Sequence, residues 1–300
     1  MRIAITGGTG FVGRHLAERL SSAGHDTVIL SRRTGVDLDL GTDALADVLR
    51  GCDAVVHCAG INREIGTQTY DAVHVCGTAA LVDAARQAGV QRIVMLSFLR
   101  ARPDGPTPYH RSKWAAEELV RGSGLTYTIL KAGVIHGRGD HMLDHLSRAF
   151  HTFPMFGLVG LHERPVRPVA VEDVTRILTA AALGDGRLAD RTISVLGPEE
   201  MPLRDAVRRV ARVTGRRPIF IRLPVAAHVV IARVAEWTMR VPLISMAQVR
   251  ILAEGIVEAA PFADAPPADL APMTAFTDEV IRAGLPEPGG FGRADLRCTA

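Results

Sequence analysis

The sequence predicts an α/β fold, in which a doubly wound parallel sheet is joined to a smaller, mainly helical region toward the C-terminus. Apolar runs of strand length alternate with helical patterns through residue 130, and this alternation is typical of a parallel sheet with helices on both faces. Glycines at 7, 8, 10 and 13 lie between the first strand and the first helix. Beyond residue 203 the apolar runs lengthen and take on helical spacing.

Each element follows from the length or spacing of its apolar residues. Residues 3–5 form a short apolar run that predicts the first strand, and Val12, Leu16 and Leu20 recur every four residues, which predicts the first helix. The next strands are predicted, in order, at 27–30, 36–40, 54–57, 92–96 and 126–130. The helices between them are predicted at 44–49, 73–88 and 114–120.

The C-terminal part of the chain is expected to be mainly helical. The helix predicted over 225–239 is apolar on more than one face, which is typical either of a buried core helix or of a surface for a protein partner or a membrane. Further helices are predicted at 174–183, 203–213, 245–254 and 277–283. Extended segments are predicted at 164–171, 192–195 and 219–221.

Composition excludes several classes of protein. The 300 residues are enough for one large domain or two unequal ones, and a net charge of +3 is too small to indicate a nucleic-acid-binding protein. No apolar run approaches the ~20 residues of a membrane-spanning helix. The four cysteines, at 52, 58, 76 and 298, lack Cys-x-x-Cys or metal-ligand spacing. We therefore expect a cytoplasmic protein with reduced cysteines and no metal.

The glycine-rich turn predicts a site for a dinucleotide. Glycines in such a turn let the backbone approach a pyrophosphate, and the glycine at 13 lets the helix pack closely on the strand. The N–H groups at the start of the following helix then face the phosphates. The alternative is a glycine-rich turn without a ligand. The residues expected to bind the cofactor here are Gly7, Gly10, Phe11, Val12 and Gly13.

The residues after the second strand select the cofactor. An acid about 20 residues after the glycines would bond the ribose 2′-hydroxyl of NAD, but Ser31, Arg32 and Arg33 stand there. A guanidinium matches a phosphate in charge and in its forked donors, so the sequence favours NADP, with NAD as the alternative. The two arginines could also be solvated surface residues. Asp37 could accept a hydrogen bond from the adenine amine or could be a turn residue.

A Tyr-x-x-x-Lys motif, from Tyr109 to Lys113, is the second feature that carries chemistry. Four residues make about one helical turn, so both side chains share a face of a helix. A nearby ammonium and the nicotinamide cation favour the tyrosinate and lower the pKa of the tyrosine. Tyr109 is then a proton donor to a carbonyl being reduced, and Lys113 can bond the nicotinamide ribose. The alternative is a surface tyrosine and a surface lysine.

Several segments together resemble those of a known family. They are 6–13 (TGGTGFVG), 57–60 (HCAG), 74–78 (HVCGT), 109–113 (YHRSK), 129–140 (ILKAGVIHGRGD) and 168–174 (PVAVEDV). The chain resembles the extended or atypical short-chain dehydrogenases/reductases, which are NAD(P)-dependent epimerase/dehydratase-like proteins with a Rossmann-type domain. Within that family it is similar to the branch of the NADPH-binding accessory subunit of respiratory complex I. The resemblance implies that Ala59 and Gly60 line the cofactor and that Ala132, Val134 and Ile135 approach the nicotinamide.

The chain also departs from the family pattern. The family usually has a catalytic serine or threonine shortly after the strand that here ends in Ser97 and Phe98. Ser97 is the only hydroxyl there and is the expected third catalytic residue, although Phe98 could occupy the catalytic position. His74 stands in place of a common asparagine, and residues 133–135 lack the asparagine that contacts nucleotide sugars in epimerases. Without one donor to the substrate oxygen, the rate would fall by about 10²–10³.

The sequence therefore predicts an oxidoreductase that uses NADPH to reduce a small apolar carbonyl, enone or quinone. The alternatives are a non-catalytic NADPH-binding module for assembly or regulation, and a nucleotide-sugar epimerase or dehydratase. We expect residues 1–183 to form the NAD(P)-binding domain and 184–300 a smaller, mainly helical substrate-side region, to which segments of 130–183 contribute. In the family that region closes over the nicotinamide, so the apolar helices of 225–255 are expected to wall the substrate cleft.

Overall fold

The computed structural model describes residues 1–36, 38–39, 41–162, 164–239, 244–261 and 263–295. The strands are β1 (Arg2–Thr6), β2 (Asp26–Leu30), β3 (Ala54–His57), β4 (Arg92–Phe98), β5 (Thr126–Ala132), β6 (Ile135–His136), β7 (Met155–Val159), β8 (Pro165–Val166), β9 (Val169–Ala170), β10 (Arg191–Val195), β11 (Met201–Pro202) and β12 (Ile219–Leu223). The α-helices are α1 (Phe11–Ser22), α2 (Thr42–Leu49), α3 (Gly77–Gln87), α4 (Pro108–Arg121), α5 (His141–Thr152), α6 (Val171–Ala182), α7 (Leu203–Val213), α8 (Val225–Thr238), α9 (Met246–Glu254) and α10 (Asp278–Gly284). A π-helical stretch, Asp71–Cys76, leads into α3.

Six strands of the described residues form one parallel sheet, in the order β2-β1-β3-β4-β5-β10. The strand order reverses at β1, which has β2 on one side and β3 on the other. In sheets of this kind, ligands bind beyond the carboxyl ends of the strands at the point of reversal. The predicted doubly wound parallel sheet is confirmed, and the loops that follow β1 and β3 lie at its switch point.

Helices cover both faces of the sheet because its central strands are apolar throughout. All four residues of β3 are buried, as expected for a parallel strand covered on two sides. On one face, Val55 and Ile93 pack in an aliphatic cluster with Leu45 of α2 and Leu81 of α3. On the other, α1 and α6 pack together, and α6 also contacts β3, β4 and β5.

The chain divides into two compact units that are interleaved in sequence. The first comprises Met1–Gly133, Val171–Val195 and Glu258–Met273 and contains the parallel sheet. The second comprises Val134–Ala170, Leu196–Val257 and Thr274–Ala300. The single domain boundary at residue 183 stays a prediction.

The second unit has a core of its own. Leu158 of β7 packs in one cluster with Phe150 of α5, Val210 of α7 and Phe276. β7 pairs in parallel with β12, β8 pairs antiparallel with β11, and β6 pairs in parallel with β9. Across the described part of the chain, every helix is too short or too polar to cross a membrane.

The predicted strand over 36–40 is wrong for the residues that the structure describes. Val36 forms an isolated antiparallel bridge to Ser31, and the described residues after it lie in a turn. The Thr34 hydroxyl donates to the Ser31 carbonyl at 2.8 Å, and local side-chain bonds of this kind compete with sheet pairing. The sixth strand of the sheet is β10 instead, beside β5.

The sequence pattern also does not predict α5 or β7. Histidines at 141, 145 and 151 make the helical repeat of apolar residues in α5 hard to recognise, and a glycine at 157 interrupts the apolar run of β7. The helix predicted over 73–88 begins in the π-helical stretch and continues as α3. The remaining predicted helices agree with the observed ones to within a few residues, except at the longer α4.

Candidate functional site

The turn between β1 and α1 is closed too tightly for side chains. Gly7 has φ of +65°, and a Cβ added there would lie 2.8 Å from the backbone nitrogen of Ala59. A Cβ on Gly13 would overlap the carbonyl oxygen of Gly7. The Gly10 N–H donates to that same oxygen at 2.8 Å. The turn is therefore pressed against the loop that follows β3 at Ala59, whose predicted contact with the cofactor stays a prediction.

The start of α1 offers backbone donors to an anion. Gly10 is the N-cap residue, and within the described chain no side chain caps this end of the helix. The first N–H groups of a helix lack partners within the helix and carry the positive end of its dipole. Phe11, Val12 and Gly13 form this first turn. The cradle of glycine backbone and helix N-terminus fits a pyrophosphate, so these residues suit a dinucleotide.

The segment after β2 lies beside the glycine turn. The N–H groups of Gly7 and Gly8 both approach the Leu30 carbonyl, at 2.8 and 3.4 Å. The chain then continues through a turn in which Arg32 and Arg33 are exposed. The two arginines thus follow within three residues of Leu30, which bonds the glycine turn, whereas Asp37, the predicted adenine contact, lies outside the described residues.

A buried chain of hydrogen bonds links β1, β3 and α3. The Ala59 N–H approaches Thr6 Oγ1 at 3.3 Å, and Thr6 Oγ1 lies 2.6 Å from His57 Nδ1. His57 Nε2 lies 3.0 Å from Thr78 Oγ1, whose hydroxyl donates to the His74 carbonyl. These partners require that Thr6 donates to Nδ1 and that Nε2 carries the ring proton. Burial lowers the pKa of His57 to about 3, so the ring stays neutral.

His74 joins the loop after β3 to helix α4. Its Nε2 accepts from the Ile61 N–H at 3.1 Å, so its Nδ1 carries the proton and donates to Ser112 Oγ at 2.9 Å. Ser112 in turn donates to the Tyr109 carbonyl at 3.1 Å. Burial, followed by the charge of Lys113, lowers the pKa of His74 to about 2. In the sequence, His74 stands out only as a departure from the family asparagine, and no local pattern points to its partner Ser112.

Lys113 lies at the carboxyl ends of β3 and β4. Its Nζ donates to the Leu96 carbonyl at 3.4 Å, and a Cβ on Gly60 would come within 3.0 Å of the same nitrogen. Burial lowers the pKa of Lys113 to about 8, against the attraction of Glu117 and Cys58, which raises it. The structure therefore brings the predicted residues Lys113 and Gly60 together at the expected edge of the sheet.

Tyr109 lies one turn before Lys113 on α4 and is enclosed by aromatic rings. Its ring centroid is 5.3 Å from that of Phe98, 5.6 Å from that of Tyr70 and 5.7 Å from that of His74. Burial raises the pKa of Tyr109 well above its usual value, and the neighbouring Tyr70 adds to this. Burial and Tyr70 set this direction, and the lowering expected from Lys113 together with the nicotinamide cation stays a prediction. Tyr109 is held in its protonated, donating form.

Ser97 and Phe98 have different surroundings although they are adjacent in β4. The Ser97 hydroxyl donates to Glu117 Oε1 at 2.6 Å, inside the protein. Phe98 instead contacts the Tyr109 ring. Alternate residues of a strand point to opposite faces, so Phe98 is the residue of the pair that borders Tyr109. The role of Ser97 as a third catalytic residue stays a prediction.

Glu117 is the centre of a buried charge cluster that is not among the predicted site residues. Its carboxylate forms ion pairs with Lys131 Nζ at 3.2 Å and with Arg121 Nη2 at 2.8 Å. The side chains of Glu117 and Lys131 are fully buried. Lys131 also donates to the carbonyls of Ala101 and Ala260, at 2.7 and 3.0 Å. The signals in the sequence are a charged residue inside an apolar strand and an acid two turns after Tyr109 on the same helix face.

The remaining predicted residues lie at the end of β5 and directly after it. Ala132 is the last residue of that strand, and its carbonyl accepts from the Leu99 N–H at 2.8 Å. Val134 and Ile135 belong to the second unit, and their approach to the nicotinamide stays a prediction, as does the role of the 225–255 helices in a substrate cleft. Within the described residues, no three His, Cys, Asp or Glu side chains are grouped to hold a metal ion.

Comparisons with known proteins show the family to which the chain belongs. A family model described as NAD(P)H-binding matches residues 7–142. Ceramide reductase of Caulobacter vibrioides is 32% identical over 239 residues, which cover 74% of this chain and 73% of that protein. The mitochondrial NADH dehydrogenase (ubiquinone) 1 alpha subcomplex subunit 9 of Arabidopsis thaliana is 25% identical over 241 residues, which cover 73% of this chain and 60% of that protein. The chain thus spans less than two thirds of the Arabidopsis relative.

Solved structures share the fold. MoeE5 in complex with UDP-glucose and NAD matches with a TM-score of 0.61 and 25% identity, over 75% of this chain and 85% of that one. MoeE5 in complex with UDP-glucuronic acid and NAD matches with a TM-score of 0.66 and 22% identity, over 95% of this chain and 97% of that one.

The fold and the glycine turn define a class: proteins that hold a nicotinamide dinucleotide on a Rossmann-type sheet. Within that class, the chain belongs to the NAD(P)H-binding, extended short-chain dehydrogenase/reductase family, whose members among its relatives include a reductase and a complex I subunit. The predicted family is confirmed, as is the prediction of a nicotinamide cofactor.

Proposed function

We propose that the protein is an NADPH-dependent reductase of a small apolar substrate that carries a carbonyl, enone or quinone group. The observation that carries this proposal is the pair formed by Tyr109 and Lys113. Tyr109 is kept protonated among aromatic rings, and Lys113 lies one helical turn away with its ammonium beside Gly60. The ceramide reductase relative is named for the same type of reaction. The free thiols of Cys52, Cys58 and Cys76 agree with a reducing, cytoplasmic compartment.

Residues of the first unit would hold the cofactor along the sheet edge. The glycine turn and the first turn of α1 would bind the pyrophosphate, and Arg32 and Arg33 would bind the 2′-phosphate. The ammonium of Lys113 would donate to the nicotinamide ribose. When bound, the reduced nicotinamide supplies a hydride to the substrate carbon.

Tyr109 would supply the proton for the reduction. As the hydride arrives, negative charge develops on the substrate oxygen, and a positioned hydroxyl lowers the barrier by transferring its proton there. Because burial holds Tyr109 protonated, the side chain is ready to act as an acid in the direction of reduction. The positive charge of Lys113 would then stabilise the tyrosinate that forms.

Phe98 favours an apolar substrate. Its ring borders Tyr109 where the family pattern places a hydroxyl, so one polar contact to the substrate oxygen is replaced by apolar surface. Tyr70 adds a second ring on another side of Tyr109. A ligand with aliphatic or aromatic groups next to its carbonyl would gain from burial against these rings.

A substrate screen tests the proposal. The purified protein is mixed with NADPH and a panel of ketones, enones and quinones with apolar groups, and NADPH oxidation is followed by absorbance. We expect at least one member of the panel to be reduced above the background rate. A panel in which no compound oxidises NADPH above background would overturn the reductase proposal.

Replacing Arg32 and Arg33 together by Ala is expected to abolish the preference for NADPH over NADH. A single charged hydrogen bond to the 2′-phosphate is worth about 1.5–3 kcal/mol, so the affinity for NADPH should fall by at least about tenfold while that for NADH changes little. Titration calorimetry with both cofactors measures the ratio. Arg50→Ala, at an exposed arginine paired with Asp47, is the matched control and should keep the preference. Equal affinity for NADH and NADPH in the native protein would contradict the assignment.

The affinity for NADPH is expected to fall as the pH rises above about 8, the pKa of Lys113. Below this pH the ammonium is present and can donate to the ribose hydroxyls, and above it the side chain is neutral. Loss of one charged donor should weaken binding by about tenfold. Fluorescence titrations across this range measure the effect in the native protein and in Lys113→Met. The variant should bind weakly without this dependence, and a native profile that is flat would contradict the role of Lys113.

A second candidate function is a non-catalytic NADPH-binding module. It is favoured by the engagement of the Ser97 hydroxyl with Glu117, which leaves Phe98 at the border of Tyr109 and the donor set short of one hydroxyl. The complex I subunit among the relatives is in accord with this candidate. Under it, NADPH raises the melting temperature by mass action, the screen finds no substrate, and Tyr109→Phe has no measurable effect.

A further inference from the structure

Helix α8 carries an exposed apolar stripe, which we define as Ala226, Val230, Ile231, Val234 and Trp237. The members recur at spacings of three and four residues and so lie on one side of the helix. All are exposed, and Val230, Val234 and Trp237 keep 63%, 53% and 77% of their surface accessible. Exposure of this much apolar surface in one helix is unusual and marks an interaction site.

The other side of α8 already has its packing partners. Ala232 lies in a small apolar cluster with Val159 of β7 and Val249 of α9. His228 is buried, and its Nε2 lies 3.3 Å from the Gly157 carbonyl. The inner face of the helix thus packs on the core of the second unit, whereas the apolar stripe has no part in that packing and faces outward.

The strand pair next to α8 exposes further apolar side chains. Met155 of β7 and Ile219 of β12 are register partners, and 55% and 63% of their surfaces are accessible. Because side chains alternate along a strand, Met155 points to the same side as Gly157, which faces His228 of α8. This apolar surface therefore lies on the side of the strand pair that α8 covers only in part.

The stretch of chain that contains α8 carries mostly positive charges. Residues 216–254 contain six arginines, no lysine or aspartate, and two glutamates. One of these, Glu236, accepts from the Met246 N–H at 2.8 Å through its Oε1 and so caps the start of α9. The described arginines of this stretch are exposed: Arg216, Arg217, Arg222, Arg233 and Arg250.

We infer that the apolar stripe of α8 binds the surface of a bilayer that contains anionic lipids. Aliphatic side chains would enter the boundary between headgroups and acyl chains, and Trp237 would sit at the interface, where its ring is preferred. Exposed arginines of this stretch, first of all Arg233 of α8 itself, would meet lipid phosphates, each adding about 1 kcal/mol, or about fivefold in affinity. A second copy of the chain fits less well, because a self-complementary interface would bring arginines against arginines.

Vesicle binding tests this inference. The full-length protein is sedimented with vesicles of phosphatidylcholine alone and of phosphatidylcholine and phosphatidylglycerol in equal parts. We expect binding to the mixed vesicles that weakens as salt is raised, because salt screens the arginines. The combined variant Val230→Ser, Val234→Ser and Trp237→Ala should lose at least about tenfold in partitioning. The single variant Arg233→Gln should lose about fivefold.

A matched control distinguishes binding by the apolar stripe from non-specific binding of vesicles by any exposed apolar side chain. Met273→Ser removes an equally exposed apolar side chain that belongs to the first unit, and it should bind vesicles as the native protein does. Melting temperatures verify that each variant folds. If the combined variant does not fold, the vesicle binding of Arg233→Gln still tests the inference. Failure to bind mixed vesicles, equal losses in the control, or a native dimer that the combined variant dissociates without any vesicle binding would each overturn the inference.

Discussion

Tyr109→Phe is expected to lower the turnover of NADPH-dependent reduction by about 10²–10⁴-fold, the usual worth of general acid catalysis. The affinity for NADPH should be nearly unchanged, because the cofactor is expected to rest on the glycine turn, Arg32, Arg33 and Lys113. The phenylalanine ring keeps the aromatic contacts with Phe98 and Tyr70, so the variant removes the hydroxyl and little else.

Steady-state kinetics on the best substrate of the screen, together with titration calorimetry for NADPH, measure this prediction. Tyr127→Phe is the matched control, because Tyr127 is a half-buried tyrosine in β5 and lies outside the proposed site. It should retain native turnover. A Tyr109→Phe protein that reduces the substrate at the native rate would show that the proton comes from another group and would leave only the cofactor assignment standing.

Glu117→Leu is expected to destabilise the folded protein by about 3–5 kcal/mol. Removing one partner of a buried ion pair leaves the other charge without compensation, and this penalty exceeds what the intact pair contributes. Here the variant removes the carboxylate that pairs with the fully buried ammonium of Lys131, and it also removes the acceptor of the Ser97 hydroxyl. Only the carbonyls of Ala101 and Ala260 would remain among the described hydrogen-bond acceptors of Lys131.

Urea-induced unfolding measures the free energy of unfolding of this variant. Glu118→Leu, at the next residue, is the control: Glu118 is half exposed and pairs with Arg121 at the surface, so its loss should cost less than about 1 kcal/mol. Adding Lys131→Met to Glu117→Leu should recover much of the stability, since apolar replacement of a whole buried pair is often tolerated. Equal effects of the Glu117 and Glu118 variants would refute the buried cluster.

The sequence predicts the parts of the site that depend on local spacing. The glycine turn is a short continuous segment, and Tyr109 and Lys113 are one helical turn apart. In both cases the spacing along the sequence determines which residues are neighbours in space. The family resemblance gives Ser97 as the expected third catalytic residue with Phe98 as the alternative at that position, and the structure places the Phe98 ring against Tyr109.

The parts that the sequence does not predict depend on tertiary contacts. His74 and Ser112 are 38 residues apart, and Glu117 and Lys131 lie on different elements that meet only when α4 packs on the sheet. The strand expected over 36–40 fails in its described residues for the opposite reason: Val36 and Leu38 favour a strand, but the hydroxyls of Ser31 and Thr34 close a local turn just before them.

The interleaving of the two units has a consequence for the order in which the chain can fold during synthesis. The chain leaves the first unit after residue 133, returns for residues 171–195 and returns again for 258–273. The edge strand β10 and the stretch beside it, where the Ser194 N–H donates to the Asp264 carbonyl at 2.8 Å, are translated late. An N-terminal unit normally folds as it emerges from the ribosome. Here the first unit lacks the strand and the segment that cover its sheet edge until most of the second unit has been synthesised. Fragments that end near residue 133 would therefore expose β5 as an unpaired edge strand and should be prone to edge-to-edge aggregation.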